Sequence, residues 1–185
     1  MTFQLLNGRQ AAEHADELRA LHHEVYGQAE DDALLARQFQ VWRRQPGSAL
    51  AEARHGGYLV GYASGMPLRS STSWWNDSTT PLPTEITTEY PGRTFALTEL
   101  VVRPAWRRQG IARALHDLII GSRSEERATL AVSPRATSAH IAFRNWGWHR
   151  AARIRGPGPG SPVLDVLLIA LPAGHEQTPG GHATS

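Results

Sequence analysis

The 185-residue sequence contains no cysteine and no lysine. Without cysteine there are no disulfides, no thiolate metal sites and no cysteine nucleophile. Without lysine all 19 basic residues are arginine; genome composition accounts for that as well as function does. No apolar run approaches the roughly 20 residues that a membrane helix needs. The opening MTFQLLNGRQAAEH holds no cleavable apolar segment, so a soluble cytoplasmic protein without a membrane partner is expected. No glycine is followed by Lys-Ser or Lys-Thr, as a P-loop requires, and no Gly-x-Gly-x-x-Gly marks a dinucleotide fold. The arginines are scattered rather than gathered into runs, which speaks against nucleic acid. No metal-ligand spacing accompanies His116-Asp117, and no metal is expected.

What is present fits one globular domain. Hydrophobic residues make up 41% of the chain, enough for a core at this length. No internal repeat or linker divides it. Residues 1–171 read as the domain, and the polar, Gly-rich residues 172–185 as a disordered tail. Phe3–Leu6 reads as a strand and Asn7-Gly8 as a turn. Ala11–Tyr26 has helical spacing, with Ala11, Ala15, Leu18, Leu21 and Val25 on one side. Asp31–Arg44 reads as a second helix. Residues 48–54 and 58–66 read as strands joined by His55-Gly56-Gly57. Residues 67–93 have no clear period, and a loop this long is usually functional or disordered. Strands are expected over 94–102, 127–133, 148–154 and 163–171, and helices over 110–121 and 135–146. The short Gly-Gly and Gly-Pro connections make much of the sheet antiparallel. Strands 94–102 and 127–133, joined through a helix, can be parallel.

The most informative stretch is LTELVVRPAWRRQGIA at 97–112. A strand ends at Pro104, and a glycine-containing turn then opens a helix. The first amides of a helix lack partners within it, and its dipole favours negative charge there. Gly110 lets a phosphate approach the backbone, and Ala112 is small for the same reason. Charge agrees: residues 1–99 hold 8 Arg and 12 acids, residues 100–185 hold 11 Arg and 5 acids. The phosphate motif thus lies in the basic half. Glu99 on the strand places a proton acceptor beside it, and alternation puts Glu99 and Val101 on one face, with Thr98, Leu100 and Val102 on the other.

Val102-x-Pro104-x-x-Arg107-x-x-Gly110-Ile111-Ala112 resembles the acetyl-CoA signature of the GNAT acetyltransferases. A strand, a helix and Trp146-Gly147-Trp148 downstream match the family's second half. The resemblance implies an α+β fold: a mixed, mostly antiparallel sheet of six to seven strands, flanked by about four helices, with a splayed central parallel pair. It implies an acetyl-CoA-dependent N-acetyltransferase moving acetyl by direct transfer to a primary amine of a small molecule or peptide. The alternative is a degenerate relative that binds CoA as a regulatory module. A homodimer stays open.

The resemblance also implies site residues. Main-chain amides of Arg108, Gln109, Gly110, Ile111 and Ala112 hold the pyrophosphate, with Arg107 and Arg113 adding charge. Main-chain groups of Leu100, Val101 and Val102 pair with pantetheine, and a backbone N–H near Val101 or Val102 meets the oxyanion. Glu99 is the candidate base. Where the family commonly has a Tyr that protonates the leaving sulfur, this chain has Phe143. Ser133, Ser138, His140 or a water would then substitute, and Ser138 is carried as the candidate. Thr137 either caps its helix or touches pantetheine. Trp74, Trp75, Glu85 and Tyr90 are candidates for the amine pocket. Adjacent His22 and His23 point apart and read as surface residues.

Overall fold

Alternating apolar residues along seven segments build one mixed sheet. The computed structural model describes residues 1–27, 39–155 and 161–172. Its strands are β1 (Thr2–Asn7), β2 (Ala49–His55), β3 (Tyr58–Pro67), β4 (Thr94–Val102), β5 (Arg127–Val132), β6 (His149–Arg155) and β7 (Val163–Ala170). They lie in the order β1-β2-β3-β4-β5-β7-β6. Every neighbouring pair is antiparallel except β4 and β5. That parallel pair is short: Thr94, Phe95 and Ala96 lie beside Arg127, Ala128 and Thr129. Beyond those residues the two strands part, which is the expected splay.

The helices are α1 (Gly8–Ala11), α2 (Ala15–Tyr26), α3 (Thr84–Thr87), α4 (Ile111–Gly121) and α5 (Thr137–Asn145), and residues 39–44 are also helical. The rest of the expected helix over 31–44, the Gly-Pro turn and the tail beyond residue 172 lie outside the described residues. Spacing decides which face each helix buries. Ile111, Leu115 and Ile119 of α4 and Phe143 of α5 join Phe95, Leu97, Val102 and Leu167 on one face. Leu18 and Leu21 of α2 join Leu50, Tyr62 and Val101 on the other. Ala49, Ala51 and Ala53 of β2 are fully or almost fully buried in the α4 cluster; their small side chains let the helix sit close to the strand.

Two expectations change. Asn7-Gly8 is not a free turn. The Asn7 side chain accepts from the amides of Arg9 and Gln10, and Gln10 accepts from the Asn7 amide. This reciprocal cap starts α1, and a 3₁₀ turn at Ala12–His14 separates it from α2. Residues 67–93 are largely irregular but anchored. Trp75 packs with Ala152, Val166 and Leu168. Thr79 donates its amide to the Arg153 carbonyl, and Arg155 donates to the Asp77 carbonyl. The loop thereby covers the outer edge of β6. No helix among the described residues is long and apolar enough to cross a membrane.

Candidate functional site

The parting of β4 and β5 opens a cleft of about 270 Å³. Its walls come from Leu97–Leu100 of β4, Leu130–Ser133 at the end of β5, Ala136, Ala139 and Phe143 of the α5 segment, and Tyr26 of α2. A break in the β4 ladder aims the walls. Ser64 pairs with Glu99 but Gly65 with Leu97, so Thr98 is an extra residue. This bulge keeps Leu97 in the α4 core with Leu100 and Val102. Strict alternation would have put Leu97 on the same face as Glu99.

Ladder alternation also fixes the main-chain groups. The Arg103 amide donates to the Val60 carbonyl, so Val101 and Glu99 face β3 while Leu100 and Val102 face the gap. The Val102 carbonyl is already taken by Arg107 Nε at 3.1 Å. Val101, expected among the pantetheine contacts, has its peptide groups on the β3 side and its side chain in the α2 core.

Past Pro104 the chain makes a 3₁₀ turn and then a loop that two left-handed residues bend sharply. Arg108 has φ +60° and Gly110 φ +79°. Residues 107–110 are exposed. Gly110 caps α4 with backbone alone, so the amides of Ile111, Ala112 and Arg113 have no partner within the helix. Nothing lies within 4 Å of where a Gly110 Cβ would stand. The turn is an open anion cradle. Gln109 Nε2 folds back on the Ala105 carbonyl at 3.4 Å. Arg113 is engaged: its Nε donates to Asp117 at 2.6 Å, and its guanidinium lies 5.5 Å above the Trp146 ring. Asp117 also accepts from His116 Nδ1 at 2.8 Å, because Trp148 Nε1 donates to His116 Nε2 at 2.9 Å and so fixes the tautomer.

On the α2 side of the cleft stands Glu99. Burial pushes its carboxyl up to about 7, although 32% of the side chain is still exposed at the mouth. His22 Nε2 lies 3.9 Å from Glu99 Oε1. Burial first, then neighbouring His23, pushes His22 down, which favours the neutral imidazole. The Tyr26 ring lies 4.7 Å from the His22 ring. Tyr26 closes the end of α2 and 60% of it is exposed; crowding on the cleft side, then the Glu99 charge, pushes its phenol up to about 12. The buried Tyr62 hydroxyl has no hydrogen-bond partner among the described residues. Sequence reasoning placed His22 on the surface and gave Tyr26 no role. Their signal was spacing: Leu18, His22 and Tyr26 are four apart, so the face of α2 that buries Leu18 runs out to the cleft, with Tyr26 exposed at its end.

Other expected residues lie elsewhere. Ser138 is exposed and lines neither cavity. Thr137 lines a separate cavity of about 410 Å³, between α5 and the β6–β7 end of the sheet. Phe143 does wall the cleft, and its ring packs edge-on to Trp146 and Trp148. None of the four pocket candidates from the long loop lines the cleft. Trp75 is a packing residue, 5% exposed, whose Nε1 donates to Glu89. Trp74 packs beside it. Glu85 lies on α3, where its carbonyl accepts from Arg93, and Tyr90 donates to Glu126 at 2.7 Å.

The family model described as the acetyltransferase (GNAT) family matches residues 14–148. A search of curated proteins finds no match to this chain. Among solved structures, the fold is similar to the ribosomal-protein-S18-alanine N-acetyltransferase of Escherichia coli. That match has TM-score 0.63 and 15% identity, over 97% of this chain and 100% of that one. An aminoglycoside 6'-acetyltransferase of type Ii matches with TM-score 0.66 and 14% identity, over 92% and 97%. The yncA protein of Salmonella typhimurium, solved with its cofactor acetyl-CoA, matches with TM-score 0.61 and 16% identity, over 99% of each.

Proposed function

Because this chain belongs to the GNAT acetyltransferase family, and so is an acyltransferase, we propose that it transfers acetyl from acetyl-CoA directly to a primary amine of a small molecule or peptide. The observation that carries the reading is the continuity of two features. The open cradle at Arg108–Ala112 follows directly on β4, whose other edge borders the cleft. In this reading the amides of the cradle hold the diphosphate, and the exposed arginines around it add positive charge. The Leu100 main chain pairs with the pantetheine amides as a further strand would. The Val102 N–H, on the gap side of the ladder, is the oxyanion donor.

Glu99 is the base. A carboxylate of ordinary pKa takes a proton from an ammonium poorly. One raised to about 7 is a stronger base and is still half ionised at neutral pH. With the fastest acceptor from an amine panel, kcat/KM is expected to rise with pH through about 7. Glu99→Gln should lower it about 100-fold at pH 7.5 and flatten that rise, with CoA affinity unchanged. A Glu99→Gln variant with the parent's rate and pH profile would remove Glu99 from the mechanism. The lack of a hydroxyl on Phe143 favours a second reading, a CoA-binding module without turnover. Thiol release in the same assay separates the two. We place the protein in the cytoplasm, where acetyl-CoA is available.

A further inference from the structure

Acetyl transfer must deal with sulfur as well as nitrogen. The amine nitrogen forms a bond to the acetyl carbon, Glu99 takes the surplus proton, and the C–S bond breaks. The electron pair of that bond leaves on sulfur. Even a cysteine thiol has a pKa near 8.5, and a bare thiolate among apolar walls is poorly solvated. Leu100, Leu130, Val132, Ala139 and Phe143 supply such walls.

The side chains of the cleft that carry an exchangeable proton are few. Thr98 already donates to the Ser64 carbonyl at 3.0 Å. Ser133 at the exposed end of β5 also keeps its hydroxyl proton, its Oγ accepting from the Arg135 amide. Glu99 is occupied with the amine. Tyr26 is the other donor. It enters from α2, and Phe143 stands on α5. The adjoining His22 ring steadies it at 4.7 Å. Among the described residues its hydroxyl has no acceptor.

On the acetyl-transfer reading above, we infer that Tyr26 is the acid that protonates the departing thiolate. The phenol O–H gives its proton to sulfur as the proton held by Glu99 passes through cleft water to the Tyr26 oxygen, so the CoA thiol is completed without a free phenolate. Amine and thioester become amide and thiol, and both side chains end as they began. The role that Phe143 cannot fill thus passes to a residue on a different helix.

Leaving-group dependence tests the role. The donors are acetyl-CoA and its selenium analogue, acetyl-seleno-CoA, whose selenolate is a much weaker base and leaves without a proton. The acceptor is the amine that the unaltered protein acetylates fastest, or water if hydrolysis is faster. Tyr26→Phe is expected to lower kcat about 100-fold with acetyl-CoA and less than about 3-fold with the selenoester. CoA affinity by calorimetry and the melting temperature should match the parent's. Equal losses on both donors, or full activity on acetyl-CoA, would overturn the assignment of Tyr26 while leaving acetyl transfer in place. Failure of the unaltered protein to consume acetyl-CoA with any acceptor would overturn both.

Discussion

Glu99, the proposed base, is a carboxyl set against stability. Its folded pKa of about 7 lies above the ordinary 4.5. The folded state therefore binds more protons than the unfolded state between those values, and stability falls as pH rises across that window. Removing the charge should reverse the effect. Glu99→Gln is expected to melt roughly 6–12 °C above the parent at pH 8 and level with it at pH 4.5, as scanning calorimetry at the two pH values would read. A variant that is more stable and less active is the mark of a residue retained for function. A lower melting point at pH 8 would mean instead that the carboxylate makes a favourable contact. The presence of Glu99 on the β4 strand was legible in the sequence. Its partners were not, because His22 and Tyr26 are more than 70 positions away along the chain and only the packing of α2 on β3 and β4 brings them to it.

At the scale of elements, the turn before α4 and the long loop follow opposite logics. The turn has little side-chain anchoring and is built from backbone conformation: left-handed Arg108, left-handed Gly110, and a helix start without a side-chain cap. Such a turn can be read from sequence because glycine in a left-handed position leaves a pattern. The loop over residues 68–93, besides its packing and its bonds to β6, converges on one buried carboxylate. Glu89 Oε1 accepts from Trp75 Nε1 at 3.0 Å, Thr94 Oγ1 at 3.0 Å and Arg127 Nη2 at 2.9 Å. Such a hub has no period, so the sequence offered Trp74, Trp75, Glu85 and Tyr90 as pocket residues when Trp75 belongs to a core. Glu89→Ala strands a largely buried guanidinium and an indole N–H. It should cost about 3 kcal/mol, which lowers the melting temperature by roughly 6–12 °C. A drop under 2 °C would show that the loop is held by its apolar contacts alone.

For the whole molecule, the order of elements was legible and the site was legible in part. Among the described residues, alternation, helical spacing and turn residues gave the strands and the longer helices to within a few residues, while the short α3 was not foreseen. The parting of β4 from β5 came only from family resemblance, because hydrophobic period says which face a strand buries and not where it leaves its neighbour. The bulge at Thr98 was likewise invisible, although it decides that Leu97 faces α4 and Glu99 faces α2. The fold turns these local facts into a site. Helices α4 and α5 pack on one face of the sheet and α2 on the other, so the gap between β4 and β5 can be approached from both. In the proposed reaction the acyl donor and the amine meet across that gap.

The most direct test is calorimetric titration with CoA, run in parallel on the Gly110→Val variant. A branched side chain at φ +79° is strained and places methyl groups where a phosphate would sit. The expected result is saturable one-to-one binding well below millimolar CoA for the unaltered protein, and affinity weakened at least about 10-fold, or 1.4 kcal/mol, in the variant. No heat at millimolar CoA, or equal affinity in the two proteins, would contradict the claim that the turn after β4 holds the acyl donor.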